Sequence, residues 1–368
     1  MDIAMDIAGR LDAAIDGALV TRIVGCVVLV KKDGEIIYAR AAGLADREAQ
    51  RAMRRDAIFR LASVTKPFVA TTVLRMIDLG LLGLDDPVTR TLPWFTPPAP
   101  DGTRPTITIR HLLTHASGVR YDVPPDVSAG LSGPLISLEE NLKRLAKVPL
   151  AFAPGTGWTY GMGIDVLGGV IATINGASLD ATITKYVSGP LGMADAHFTV
   201  TDPARLAAPY ADGRPPRRMG EPEPVVDDQG GVVTFSPKRI FEAHAPQSGG
   251  AGMAGTADDV LTMLDVYNGS APLLKPATVA EALKNQIGAI PRRDSDAGKR
   301  FSLIGAVIDD PAAARSPCPV GTVDWGGAWG HNWIVDPVNR LTVVVCTNTA
   351  FEGCNGPFRE EIRDAVYG

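Results

Sequence analysis

Apolar residues recur at every fourth position at the start of the chain, at Ile3, Ile7, Leu11, Ile15 and Leu19. This stripe predicts an amphipathic helix over residues 2–19. The pattern then changes to a β-hairpin, with Val24 to Lys31 and Glu35 to Arg40 joined by a turn at Asp33-Gly34. A short apolar segment, Phe59-Arg60-Leu61-Ala62, leads into Ser63, and a helix is expected from about Val64 to Leu79. Pro67 is tolerated in its first turn and Gly80 stops it.

Between residues 85 and 235 the character differs. Helical patterns at 107–116, 137–146, 163–174 and 179–187 alternate with Pro- and Gly-rich loops, loosest at Asp122–Pro134 and Ala208–Gly231. Strand-like stretches return at Trp333-Ile334-Val335 and Leu341–Thr347, with a turn near Asn339 between them, and a last helix is expected from Pro357 to Val366. Helix and hairpin at one end, strands and helix at the other, predict an α/β domain built from both termini (1–84 with 236–368). An antiparallel sheet would carry the terminal helices on a face, and 85–235 would form a second, mostly helical domain. The active cleft is expected between them.

Composition narrows the function classes. The 368 residues include 36 Lys plus Arg against 41 Asp plus Glu, a net charge of -5, and no basic run that would suit a nucleic acid. The acidic start, Met1 to Asp6, lacks the basic segment of a signal peptide, and the apolar run Ile23–Val30 is too short to span a bilayer. Cys26, Cys318, Cys346 and Cys354 form no CxxC pair and read as free thiols. A soluble, cytoplasmic protein without a membrane partner is the expectation, with its oligomeric state left open.

Three constellations carry chemistry. In Ser63-Val64-Thr65-Lys66 a spacing of three puts serine and lysine on one helical face. A serine hydroxyl needs a base to become a nucleophile, and Lys66 serves if burial and the positive helix end destabilise its ammonium. An S-x-x-K string is expected about once or twice by chance in such a length, so the helix start and apolar lead-in matter. In Pro154-Gly155-Thr156-Gly157-Trp158-Thr159-Tyr160, a turn delivers a tyrosine that can act as general base when it faces a lysine ammonium. The glycines of Trp325-Gly326-Gly327-Ala328-Trp329-Gly330-His331 permit close approach of backbone to a ligand.

Five strings, in this order, resemble the serine β-lactamase and penicillin-binding-protein superfamily on its class C side, and most of all the family VIII carboxylesterases. They are Phe59 through Lys66, His111-Leu112-Leu113-Thr114-His115-Ala116-Ser117-Gly118, Pro154 through Tyr160, Gly249-Gly250-Ala251-Gly252-Met253, and Trp325 through His331. The resemblance covers nearly the whole chain and implies the α+β, β-lactamase-like fold. It implies a serine carboxylesterase in which Ser63 is acylated, Lys66 shares its proton with Tyr160, and the backbone amides of Ser63 and Ala328 hold the oxyanion. No cofactor and no metal are implied. Trp325, Gly326 and Gly327 stand where lactamases carry Lys-Thr-Gly, and they would form the pocket wall, with Trp158 and Trp329 adding to it. Met162 stands where class C lactamases have the asparagine that binds the lactam side chain. Losing the lysine's charge-assisted contact, worth about 1.5–3 kcal/mol, weakens anionic substrates by roughly one to two decades. The expected partner is therefore a small neutral ester.

Other readings fare worse. His111 and His115 have the i, i+4 spacing of a zinc pair, but position 112 is Leu and no third ligand is evident. The G-x-S-x-G elbow of an α/β-hydrolase fails at Ser117, Ser132 and Ser248. A non-catalytic binding module conflicts with the intact Ser63, Lys66 and Tyr160. An acyltransferase, or a weak lactamase, would share the first half-reaction.

Overall fold

A computed structural model describes residues 3–227, 230–292 and 296–368. Met1 and Asp2 of the acidic start, and positions 228–229 of the loose 208–231 stretch, lie outside the described residues. Helix α1 runs Ile3–Thr21, followed by the hairpin β1 (Gly25–Lys32) and β2 (Glu35–Asp46), whose end pairs with β3 (Arg51–Ala52). The sheet is completed from the far end of the chain by β4 (Lys299–Phe301), β5 (Ala306–Ile308), β6 (Val323–Gly327), β7 (His331–Asp336) and β8 (Leu341–Thr347). The eight strands are antiparallel in the order β4-β5-β6-β7-β8-β1-β2-β3. β1 and β8 are therefore central neighbours, registered from Cys26 opposite Thr347 to Lys32 opposite Leu341. This is the α+β, β-lactamase-like architecture, with the sheet drawn from both termini.

Alternation assigns the two faces. Val28, Val30, Val343 and Val345 point to one side, where they pack with Ile7, Leu11 and Ile15 of α1 and with Phe358, Ile362 and Val366 of the C-terminal helix (Pro357–Tyr367). Val27, Leu29, Val344 and Trp333 point to the other side and enter the largest core. That core continues without a break into α2 (Thr65–Asp78) and into the helices α3 (Ile109–Leu113), α4 (Leu138–Leu145), α5 (Gly163–Asn175) and α6 (Leu179–Ile183). Each fully buried Val or Leu contributes about 1.5–3 kcal/mol, which makes the shared core the main tie between sheet and helices. Helix α2 packs chiefly on α5, although it follows the hairpin directly in sequence. α7 (Ala257–Leu264) lies over β8 and β1. Among the described residues no single helix is long and apolar enough to cross a membrane.

The expected elements shift at their edges. The 107–116 pattern shortens to α3 because Thr108 caps its start through the backbone N–H of His111, and His115, at φ 59°, turns the chain out of the helix. His111 and His115 therefore do not stand a turn apart as a ligand pair. Nδ1 of His111 accepts from the Thr108 N–H. The 163–174 helix ends where Gly176 takes φ 65°, a left-handed stop.

One histidine couples the sheet to the segment ahead of α2. His331, at the start of β7 and buried, donates from Nε2 to the Arg60 carbonyl at 2.7 Å, so the neutral ring carries its proton on Nε2. Burial holds its pKa down to about 4. The unfolded chain therefore binds more protons than the folded one between about pH 6.5 and 4, and stability falls as pH drops through that window. Urea unfolding should show about 2 kcal/mol lost from this residue between about pH 7.5 and 5. Replacing His331 by Gln should flatten that part of the pH dependence; an unchanged slope would assign the loss to other groups.

Candidate active site

The position of Ser63 is built by pinning a turn. Phe59-Arg60 pairs antiparallel with Ala254-Gly255, and the Leu61 N–H donates to the Met253 carbonyl at 2.8 Å. Ala62 then adopts φ 46°, a left-handed conformation that a fully buried alanine tolerates at a cost of about 1 kcal/mol. Ser63 follows on a single 3₁₀ turn, Ala62–Val64, directly ahead of α2. Thr65, the first residue of α2, accepts at its hydroxyl from the Met253 N–H. The turn is held on both sides, and Lys66 points from it into the site.

Lys66 is buried, and its ammonium has three hydrogen-bond partners for its three N–H groups. It donates to Ser63 Oγ at 3.0 Å, to Tyr121 Oη at 2.9 Å and to the Gly250 carbonyl at 2.7 Å. Tyr160 Oη donates to Ser63 Oγ at 2.8 Å and accepts from the indole N–H of Trp325 at 3.1 Å. Among the described residues the lysine reaches the Tyr160 hydroxyl through Ser63 rather than directly, with Nζ 4.6 Å from the Tyr160 ring centre. His115, Tyr121 and Trp325 pack around that ring at centroid distances of 4.7, 5.3 and 5.0 Å.

A buried carboxylic acid backs the site. Asp165 of α5 is fully buried and accepts from the Ser248 hydroxyl, fixing the start of the Ser248–Met253 segment. Gly250 is required there because a Cβ would fall 2.4 Å from Asp165 Oδ2. Burial pushes the Asp165 pKa up, opposed by the Ser248 hydrogen bond and the charge of Lys66. Burial, then the neighbouring Tyr160 and Asp165, holds Tyr121 well above the usual tyrosine range, so it remains a neutral phenol.

Ser63, Tyr121, Tyr160, Trp325, Gly326 and Ala328 line one cleft of about 590 Å³. Gly327 lies behind it, where a Cβ would sit 2.4 Å from the Leu61 carbonyl, so this glycine lets β6 press against the nucleophile turn. Met162 is not the expected substrate contact: it is fully buried in the main core at the head of α5 and does not line the cleft. Trp158 is likewise set back, behind the wall, against His115, Phe301 and the guanidinium of Arg292. Trp329 is buried against Phe235 on another face. The two loose stretches contribute Ala129, Leu131 and Ser132, and Asp227, to the cleft, with Tyr121 just ahead of the first.

Sequence reasoning gave Tyr121 no chemical role and passed over Asp165, Arg292 and Arg359. The arginines line the far wall, where Arg359 pairs with Asp324 at 3.2 Å and Arg292 with Asp296 at 3.2 Å. Gly250 lay within a recognised string, but nothing in local spacing marks Tyr121 or Asp165.

A serine, lysine and tyrosine meet through one serine oxygen, at a turn beside the antiparallel sheet of a β-lactamase-like fold. The chain belongs to the Beta-lactamase family, whose model matches residues 11–366. It is 47% identical over 377 residues to the protein named Esterase EstB of Burkholderia gladioli, covering 99% of this chain and 96% of the relative. It is 28% identical to Acyltransferase calJ of Penicillium decumbens, over 86% of this chain and 82% of that one. The solved structure of EstCE1, described as a hydrolase with promiscuous acyltransferase activity, superposes with a TM-score of 0.94 at 39% identity over 99% of both chains.

Two substitutions test this geometry. Trp325→Phe removes the N–H that Tyr160 Oη accepts while keeping an aromatic wall. Loss of about 1–1.5 kcal/mol should lower kcat roughly 5- to 10-fold with little change in KM. Tyr121→Phe leaves one N–H of a buried ammonium without its partner and should lower kcat by a comparable or larger factor. Steady-state kinetics that show either variant at wild-type kcat would remove that hydrogen bond from the catalytic machinery.

Proposed function

We propose that the protein is a serine carboxylesterase that hydrolyses small neutral esters through an acyl-enzyme on Ser63. The observation that carries this reading is the shared contact at Ser63 Oγ, 3.0 Å from Lys66 Nζ and 2.8 Å from Tyr160 Oη. In the reacting state the Lys66–Tyr160 pair carries one proton fewer than its maximum, and Tyr160 Oη is the acceptor. Ser63 Oγ attacks the ester carbonyl carbon as its proton passes to Tyr160. The tetrahedral oxyanion is held by the backbone N–H groups of Ser63 and Ala328. Collapse breaks the carbon–alkoxy bond, and Tyr160 returns the proton to the leaving alcohol. Water repeats the sequence on the acyl-enzyme and releases the acid. Lys66, fixed by Tyr121 and Gly250, keeps positive charge beside the oxygen through each step.

The preference for neutral esters is supported by Trp325 in place of a cation beside Tyr160 and by the pairing of Arg359 and Arg292 with Asp324 and Asp296. The named activity of the 47% identical relative supports ester over lactam. Free cysteines, three of them buried, support a reducing, cytoplasmic setting. Acyl transfer to an alcohol is a second reading favoured by the description of EstCE1; it uses the same acyl-enzyme with a different acceptor.

The test is a parallel assay on p-nitrophenyl butyrate and a chromogenic cephalosporin, with Ser63→Ala as control and a fluorophosphonate probe to label the nucleophile. Ester turnover should exceed lactam turnover, and the variant should lose at least about 10³-fold along with labelling. Product partition with added short alcohols separates hydrolysis from transfer. Labelling that persists in Ser63→Ala would overturn the assignment, and lactam turnover above ester turnover would overturn the substrate class.

A further inference from the structure

Behind the catalytic cleft lies a second, smaller cavity of about 30 Å³, lined by Arg60, Arg239, Ser236, Gln247, Trp329 and the Ala251–Met253 segment among others. Leu131 and Ala251 border both spaces. Arg60 and Arg239 are each only 9% exposed, and nothing in the proposed mechanism uses them. Their hydrogen bonds go to neutral carbonyls: Arg60 Nε to Pro237 at 2.9 Å and Nη1 to Ala207 at 3.1 Å, and Arg239 Nη2 to Pro246 at 3.2 Å. The Arg60 guanidinium also lies 5.5 Å over the Trp329 ring.

Carbonyls satisfy N–H groups but leave the charge. Among the described residues no carboxylate reaches ion-pair distance of either guanidinium; exposed Glu221 acts on Arg60, and buried Asp165 on Arg239, only through space. Burial pulls both guanidinium pKa values down to about 10, which still leaves each protonated at neutral pH. Lys66 is buried nearby as a third cation, and buried Asp165 acts on it and on Arg239 through space. Burying an uncompensated charge costs several kcal/mol, which a counter-ion in the same cavity would offset.

We propose that this cavity is a binding site for a small monovalent anion of the halide type, held between the guanidinium groups of Arg60 and Arg239. Size selects the class. A water needs roughly 10–15 Å³ on this scale, so the space of about 30 Å³ suits one halide or two waters. Unused guanidinium N–H groups and the Gln247 amide supply donors. An anion here would lie against the segment whose Gly250 carbonyl holds Lys66, and would brace that segment from behind.

The test uses bromide as probe. Thermal unfolding of the full-length protein in sodium bromide, against sodium gluconate at equal ionic strength, should show a saturable rise of about 1–3 °C. That rise should vanish in Arg239→Gln. Crystals grown or soaked in bromide should give an anomalous peak between the two guanidinium groups, a result that does not depend on the variant folding. A rise of equal size in Arg239→Gln, or a bromide-soaked crystal with only water between the arginines, overturns the proposal.

Discussion

The ammonium of Lys66 is the constraint to which the rest of the site answers. A lysine at 4% exposure is stable only if its N–H groups find acceptors, since burying an unmatched cation costs several kcal/mol. Each acceptor comes from a different part of the chain: Ser63 from the turn before α2, Tyr121 from the loop after α3, and Gly250 from the segment paired alongside Phe59-Arg60. The helical region, the sheet and the late 248–253 segment must therefore dock together before this charge is accommodated. The geometry around Lys66 and the tertiary packing are satisfied by the same three hydrogen bonds.

Around that charge the protein arranges aromatic groups rather than further ions. Tyr160 is enclosed by His115, Tyr121 and Trp325, and its oxygen meets Ser63 Oγ and the Trp325 N–H. Trp325 thus faces two ways, as an apolar wall toward the cleft and a neutral donor toward Tyr160. A lysine at this place would supply the donor but would add a charge to the cleft. The arginines of the far wall are paired to aspartates.

Much of the fold was legible because its signals are local. The every-fourth-residue stripe of α1, the hairpin at Asp33-Gly34, and the apolar run that became β8 each follow from the burial of one face or of both. The short strands β4 and β5 left no such signal, because three residues cannot display a period. His115 ended α3 early by turning to positive φ, a choice set by its packing against Tyr160, Trp158 and Phe301 rather than by helix propensity.

The sequence by itself determined which residues could react: a serine three before a lysine at a helix start, a tyrosine delivered by a Pro-Gly turn, and a glycine-rich strand end with tryptophan in place of lysine. Those are properties of adjacent residues. Only the tertiary structure decided who touches whom. It linked Tyr160 to Lys66 through Ser63, recruited Tyr121 from 55 residues beyond the lysine and Gly250 from 184 beyond it, and sent Met162 into the core instead of the cleft. Contacts across such separations depend on how helices and sheet pack over a common core, and no local period or spacing records that.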